Sequence, residues 1–205
     1  MTKLIRCRAS LSEVATTFDA EPVSRLEWRS EIWPGEEVLV VTLEQGHRRL
    51  DAMRWNLPAG AFRAGDGLGH RGTVYSRDLA SMSSTLVAPQ LLLRCLIVIE
   101  AFAYPDGRAG ARTRAWGGLW DEPLAAWAGL CAPEPESGCA GLLVPSNPLI
   151  GEVSPHMPFL LPAREWQAWL EGASPAWDLG PAFTDSAWYL ERTGETWSTG
   201  AVIDD

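Results

Sequence analysis

Three side chains of this 205-residue chain have the chemistry expected of a catalytic group: the thiol of Cys7, the carboxylate of Glu100 and the imidazole of His156. A thiolate can add to an aldehyde, and a carboxylate or an imidazole can transfer the proton that such an addition requires. The alternative for Cys7 is a thiol buried against the core, and both interpretations stay open at this point. No Ser-His-Asp spacing, phosphate-binding glycine loop or metal-ligand cluster is recognisable, so the sequence predicts neither a metal site nor a cofactor.

Four other residues have side chains suited to contact with a nucleic acid. Arg8, Arg54 and Arg77 carry guanidinium groups, which make bidentate contacts with phosphate. Trp55 offers a ring on which an unpaired base can stack. The net charge of -9 opposes non-specific attraction to DNA, so a DNA-binding role requires these arginines to gather in one cleft. Arginine-rich codon usage is the alternative explanation for a chain whose single lysine is Lys3.

The composition is typical of a globular protein, and we expect one domain over residues 1–205. No apolar run approaches the roughly 20 residues that span a bilayer, and no signal-peptide core follows the N-terminus, so we expect a cytoplasmic protein without membrane contact. The four cysteines include no Cys-x-x-Cys pair, which favours free thiols. Cys131 and Cys139 flank one loop, and the favoured interpretation is a surface pair without a role.

Local patterns predict an α+β fold of mixed strands and short helices. A capped helix is predicted from Ser10 or Ser12 to Phe18, with further helices over 120–130 and 163–171. Residues 60–72 hold five glycines and are predicted to form a flexible loop, and residues 173–205 an irregular C-terminal wrap. Strands are predicted over 37–43, 50–55, 73–76, 91–102, 112–119 and 141–144.

Four sequence blocks occur in an order that resembles the SOS-response-associated peptidase (SRAP) family, which includes the abasic-site-crosslinking, 5-hydroxymethylcytosine-binding type. They are MRWNLP at 53–58, RCLIVIEAF at 94–102, GGLW at 117–120, and the stretch 145–170 with its Met-Pro and Trp-containing helix. The resemblance implies a β-barrel-like, bifurcated sheet core surrounded by helices. It also implies that one cleft is surrounded by Trp55, Arg77, Tyr104 and Ser154.

In that family the initiator Met is removed, and the exposed N-terminal Cys attacks an abasic site in single-stranded DNA. Its thiol and α-amine together form a thiazolidine with the ring-opened sugar. The matching residue here is Cys7, whose nitrogen lies in a peptide bond. A thiazolidine is therefore expected only after removal of residues 1–6. Of the family's phosphate-binding motif, Arg77 is the residue that is retained.

The family's other two reactive positions are replaced. Its catalytic Glu matches Tyr104, and a phenol with a pKa of about 10 is a poor general base at neutral pH. Its catalytic His matches Ser154. Glu100 and His156 are the nearest residues that can substitute for these two.

The leading hypothesis is a divergent SRAP-like protein that binds single-stranded or abasic-site DNA in a DNA-damage or mobile-element context, with the crosslinking chemistry lost or altered. One alternative is an active Cys-dependent crosslinking lyase or autopeptidase that uses Cys7 with His156. The other is a non-catalytic protein-interaction domain. The sequence leaves open whether the protein is an enzyme.

Overall fold

The computed structural model describes residues 4–23, 26–58, 72–75, 92–132, 137–172 and 183–198. Over these residues the chain forms one sheet of five strands, one sheet of nine strands and a few short helices. The predicted α+β class is confirmed, with sheet as the dominant element. Within the same residues both sheets are open, so a closed barrel is not formed.

The smaller sheet contains β1 (Leu4–Arg6), β3 (Glu31–Ile32), β8 (Ala101–Asp106), β9 (Thr113–Leu119) and β14 (Trp188–Thr196). Their spatial order is β14-β9-β8-β1-β3, and every neighbouring pair is antiparallel. The prediction of an irregular wrap is wrong for the residues of β14. That strand is stabilised by pairing with β9, a partner about 70 residues away that local sequence patterns do not reveal.

The larger sheet contains nine strands: β2 (Glu21–Pro22), β4 (Glu37–Glu44), β5 (His47–Arg54), β6 (Thr73–Tyr75), β7 (Leu93–Ile99), β10 (Ala125–Ala132), β11 (Gly138–Pro145), β12 (His156–Pro158) and β13 (Leu160–Leu161). The main order is β12-β11-β10-β7-β4-β5-β2. In addition, β13 pairs with β10, and β6 pairs in parallel with β11.

The larger sheet forks where β10 and β11 separate. These strands pair directly from Gly129 opposite Gly141 to Ala132 opposite Gly138. Beyond that point the chain of β12 and β13 enters between them. The Phe159 amide donates to the Leu142 carbonyl on β11, and the Phe159 carbonyl accepts from Ala128 on β10, both at 2.9 Å. This fork corresponds to the bifurcated sheet that the resemblance implies.

The two sheets are joined at Glu100, where the chain leaves β7 and enters β8. The sequence predicts one strand over 91–102, and the structure divides this segment at the glutamate. The Glu100 amide donates to the Arg6 carbonyl of β1 at 2.7 Å. Long-range hydrogen bonding therefore sets the bend, and no local Gly or Pro marks it.

Three α-helices lie in the described residues: α1 (Leu11–Phe18), α2 (Pro148–Gly151) and α3 (Ala163–Leu170). The cap of α1 is Ser10, one of the two predicted residues, and Ser10 and Glu13 form a reciprocal capping box there. On α3 the predicted inward face is confirmed, because Trp166 and Trp169 are both buried. No helix in the described part of the chain is long and apolar enough to cross a membrane.

The helix predicted over 120–130 is wrong, because Ala125–Ala132 form β10 in the centre of the larger sheet. All its residues are buried, so both faces are apolar and the sequence has no strand alternation. Its packing depends on small neighbours: a side chain on Gly141 would meet the Trp127 ring at 2.1 Å. Trp127 in turn donates its indole N–H to the Leu142 carbonyl at 2.6 Å.

Candidate functional site

A cluster of polar and aromatic side chains surrounds the backbone of His156 at the start of β12; we call Tyr75, Tyr104, Ser154 and His156 the His156 cluster. The Tyr104 hydroxyl donates to the His156 carbonyl at 2.6 Å, and the Ser154 hydroxyl donates to the same oxygen at 2.7 Å. The rings of Tyr75 and His156 lie 4.6 Å apart at an angle of 59°. Residues from β6, β8 and β12 therefore meet at one point.

The hydrogen bonds of the cluster determine what it can do chemically. Tyr104 is 1% exposed and Ser154 is 4% exposed, and each uses its hydroxyl proton to satisfy a backbone oxygen. The Ser154 oxygen also accepts from the His156 amide at 3.3 Å. Tyr104 and Ser154 thus hold the backbone in place, and neither is presented to solvent as a proton acceptor.

An exposed arginine bridges the two chain segments next to the cluster. Arg192 on β14 donates to Asp106 at 2.9 Å and to Glu152 at 2.7 Å. Hydrogen bonds to these two carboxylates raise the pKa of Arg192. The guanidinium therefore links β8, which carries Tyr104, to the turn that leads to Ser154.

A second polar region lies where the two sheets join; we call Cys7, Arg8, Ala9 and Glu100 the Glu100 pivot. The Glu100 carboxylate accepts from the amide of Arg8 at 2.5 Å and from the amide of Ala9 at 2.7 Å. Cys7 is fixed on both sides, because its amide donates to Ser30 and its carbonyl accepts from the Trp28 indole, each at 3.0 Å. Glu100 is thus a positioning residue for the backbone between β1 and α1.

The thiol of Cys7 is buried, with 1% of the residue exposed. Burial, and then the nearby charge of Glu100, raise the pKa of Cys7 to about 12. At neutral pH this thiol is therefore protonated, and a protonated thiol is a poor nucleophile. These features favour the interpretation of Cys7 as a core residue over the catalytic one.

The pivot and the cluster lie at different positions along β8. Leu4 pairs with Ala103 and Arg6 pairs with Ala101, so Cys7 lies beyond the Ala101 end. Tyr104 comes three residues after Ala101, which is roughly 10 Å at about 3.3 Å per residue. Of the three catalytic candidates, His156 is therefore grouped with Tyr104 and Ser154, whereas Cys7 and Glu100 are grouped with each other.

The predicted DNA contacts do not gather at the His156 cluster. Trp55 is fully buried, donates to the Gly72 carbonyl at 2.7 Å and packs edge-on against Trp127, so its ring is not available for base stacking. Arg54 is exposed and donates to the Gly35 carbonyl at 3.1 Å. The backbone of Arg54 lies next to Gly138, because a Cβ atom on Gly138 would be 3.4 Å from the Arg54 carbonyl oxygen. Gly138 is the first residue of β11, and the cluster lies at the other end of that strand, roughly 20 Å away. Arg54 is therefore distant from the cluster.

The other two predicted DNA contacts are Arg8, which the structure describes, and Arg77, which it does not. Arg8 is exposed at the pivot, where its backbone is held by Glu100. Arg77 lies outside the described residues, so its predicted phosphate contact stays a prediction. Of the four residues expected to surround one cleft, Tyr104 and Ser154 meet at the His156 carbonyl, Trp55 is buried in the core, and Arg77 is not described.

Sequence reasoning missed Tyr75 as a member of the cluster. Its signal is its place in the chain, because Tyr75 lies two residues before Arg77, which the resemblance matches to a phosphate-binding motif. In the structure it ends β6, which the parallel pairing with β11 brings beside His156. In the described part of the chain no group of three or more His, Cys, Asp or Glu side chains is arranged to hold a metal ion.

Comparison with known proteins gives a family and a fold. Residues 2–184 match the family described as SOS response associated peptidase (SRAP). None of the curated proteins matches the chain. A solved structure from Bordetella bronchiseptica is similar with a TM-score of 0.74 and 17% identity, over 93% of this chain and 99% of that chain.

Two other solved structures have the same fold. A protein from Bacteroides thetaiotaomicron is similar with a TM-score of 0.70 and 14% identity, over 92% of this chain and 90% of that chain. A phage-related protein from Bordetella bronchiseptica is similar with a TM-score of 0.68 and 16% identity, over 93% of each chain. At these identities the likeness shows the fold alone.

Proposed function

Because this chain belongs to the SOS response associated peptidase (SRAP) family, we propose that it binds single-stranded or abasic-site DNA in a DNA-damage context and that the family's thiazolidine crosslinking is lost. Family membership suggests the DNA-related role. The proposed loss of chemistry concerns this chain in particular.

The observation that carries this proposal is that the residues matched to the family's reactive positions make structural hydrogen bonds or are buried. Tyr104 and Ser154 both donate to the His156 carbonyl, so the groups at the family's Glu and His positions are engaged with backbone. Cys7 is buried and internal, and its pKa is raised to about 12. Thiazolidine closure needs a free α-amine beside a reactive thiol, and while residues 1–6 precede it Cys7 has no free α-amine.

Phosphate binding is assigned in this proposal to two arginines. Arg8 is exposed, and the hydrogen bond from its amide to Glu100 fixes the backbone that carries the guanidinium side chain. Arg77 retains the arginine of the family's phosphate-binding motif. Guanidinium groups suit phosphate because they present parallel donors in one plane.

The test uses the full-length protein and a single-stranded oligonucleotide with one abasic site. We expect no adduct after denaturing electrophoresis, together with saturable binding by fluorescence anisotropy that weakens as salt rises. A denaturant-resistant adduct formed with an intact N-terminus, and absent in Cys7→Ser, would contradict the proposal and favour the crosslinking enzyme.

A matched pair of variants tests the phosphate contacts in the same titration. Arg77→Ala should weaken binding similarly for different sequences and reduce the salt slope by about 1. Arg164→Ala is the control, because Arg164 is 72% exposed on α3 and is paired with its neighbour Glu165. Equal salt slopes for wild type and Arg77→Ala would remove Arg77 from the interface.

One surface favours the alternative of a protein-interaction domain. Trp120 is 67% exposed, and its ring packs 5.1 Å from that of Tyr189. The exposed Asp121 and Glu122 follow it directly. Exposed tryptophans often anchor protein interfaces, and carboxylates beside one disfavour a nucleic acid. Failure of the protein to bind any single-stranded DNA at low salt would favour this alternative.

A further inference from the structure

Three cysteines form a buried group in the larger sheet, far along the strands from the His156 cluster. Cys95 on β7, Cys131 on β10 and Cys139 on β11 are all free thiols and at most 1% exposed. Cys131 lies directly opposite Cys139, and Cys95 lies opposite Gly129 on the next strand. These facts correct the interpretation of Cys131 and Cys139 as a surface-loop pair.

Strand register defines the geometry of the facing pair. The Gly141 amide donates away from β10, to the Gly72 carbonyl at 3.0 Å. Gly141 and its partner Gly129 are therefore a non-hydrogen-bonded pair of the β10–β11 ladder. Because the two kinds of pair alternate, Cys131 and Cys139, two residues further along, are also a non-hydrogen-bonded pair.

A non-hydrogen-bonded antiparallel pair has the close approach that a disulfide requires. Its Cα atoms lie about 4.5 Å apart and its side chains point to the same face. Disulfides form across Cα separations of about 4.4 to 6.8 Å, so Cys131 and Cys139 meet the distance condition without backbone movement. Diagonal neighbours such as Cys95 and Cys131 are about 7 to 8 Å apart, which exceeds that range.

The third thiol is nevertheless in contact with the pair. The Cys95 sulfur lies close to the backbone of Gly129, because a Cβ atom built on this glycine would be only 3.0 Å from it. Burial, and then the neighbouring Cys131 and Cys139 thiols, raise the pKa of Cys95. A thiol in this position can exchange with a neighbouring disulfide, although the diagonal geometry disfavours a stable bond of its own.

We propose that Cys131 and Cys139 are an oxidation site that closes into a cross-strand disulfide, with Cys95 remaining a free thiol. Hydrogen peroxide first oxidises one of the two thiols to a sulfenic acid and releases water. The second thiol then attacks that sulfur, forms the S–S bond and releases a second water. Overall two thiols lose two hydrogen atoms to one peroxide, and the bond ties β10 to β11 next to their connecting loop.

Burial makes the reaction slow at neutral pH. Removal from water raises the pKa of Cys139 and of Cys95 well above the usual value, so few of these thiols are ionised. The rate should therefore rise with pH, by about tenfold per unit below the pKa. This site does not depend on the proposed DNA-binding function.

The test treats the folded full-length protein with peroxide at pH 7 and pH 9 and counts the thiols that react with an alkylating agent after denaturation. We expect the count to fall from the four cysteines of the chain to two, faster at the higher pH, and peptide mapping to join Cys131 to Cys139. The melting temperature should rise by about 5 °C, because the bond closes a short loop of the unfolded chain.

Alanine variants separate this pair from the third thiol. Cys131→Ala and Cys139→Ala should keep every remaining thiol, whereas Cys95→Ala should still lose two. A bond that maps to Cys95, a Cys95→Ala protein that fails to oxidise, or four reactive thiols after prolonged treatment of the wild type would each overturn the proposal.

Discussion

The Glu100 pivot lies where β8 begins and the His156 cluster includes Tyr104 of the same strand, and the two regions use polar groups in opposite ways. At the pivot a side-chain carboxylate accepts two backbone amides, those of Arg8 and Ala9. At the cluster a backbone carbonyl accepts two side-chain hydroxyls, those of Tyr104 and Ser154. In both regions a group with the chemistry of an acid or a base serves to hold the backbone.

The same contrast divides the catalytic candidates into two groups of contacts. Cys7 and Glu100 are brought together by the pairing of β1 with β8, whereas His156 is joined to Tyr104 by the hydrogen bond from the Tyr104 hydroxyl to the His156 carbonyl. Cys7 and His156 were expected to act together in the alternative enzyme hypothesis. Each is held by its own hydrogen bonds, Cys7 by Ser30 and Trp28 and His156 by Tyr104 and Ser154, and their joint action stays a prediction.

The largest expected effect concerns the reactivity of Cys7. Its pKa is raised to about 12 by burial and by Glu100, so its thiolate is about a thousandfold scarcer at pH 8 than for a thiol of pKa 9. We expect iodoacetamide to modify Cys7 at least about a thousandfold more slowly than a solvent-exposed cysteine. The rate should rise about tenfold per pH unit until pH approaches 12, because a raised pKa delays ionisation.

The control for this measurement is a cysteine introduced by Glu122→Cys, since Glu122 is exposed. Mass spectrometry of chymotryptic peptides gives both rates in one sample, because cleavage after Leu4, Leu11, Trp120 and Leu124 separates the two cysteines from the others. If Cys7 reacts as fast as the introduced cysteine at pH 8, the pivot is a reactive site and the contrast with the cluster fails.

A smaller effect is expected from removing the carboxylate at the pivot. Glu100→Ala deprives the Arg8 and Ala9 amides of a charged acceptor, which should lower the free energy of unfolding by about 2 to 3 kcal/mol. Glu100→Gln keeps a neutral acceptor and should cost less. Urea unfolding measures both variants, and Glu122→Ala is the exposed control. Equal stabilities of Glu100→Ala and the control would show that the carboxylate does not hold the pivot.

Local chemistry predicted the elements that depend on it. Ser10 and Glu13 form a capping box whose geometry needs only nearby residues, and α1 follows as predicted. The apolar face of α3 likewise placed Trp166 and Trp169 in the core. Family blocks in order predicted the fold class and the proximity of Tyr104 to the chain around Ser154.

Elements that depend on distant partners were not predicted. The bend at Glu100 requires the Arg6 carbonyl and two amides of the next segment, and nothing in the local sequence indicates it. The strand β10 resembles a buried helix in sequence because both its faces are covered. Trp55 was placed at the DNA surface by its chemistry, whereas its contact with Trp127 places it in the core.

The smallest expected effect tests whether the hydroxyls of the cluster are structural partners of one atom. Tyr104→Phe and Ser154→Ala each remove one donor from the His156 carbonyl while the other remains, so each should cost about 1 kcal/mol. The double variant removes both hydroxyl donors from the same partly buried oxygen, and its cost should exceed the sum by about 0.5 to 1 kcal/mol. Denaturant titration of the four proteins gives this coupling. Simple additivity would mean that the two hydroxyls act independently. The two hydrogen bonds would then not reinforce each other at the His156 carbonyl, and the contrast with the pivot, where one carboxylate holds two amides, would be weaker.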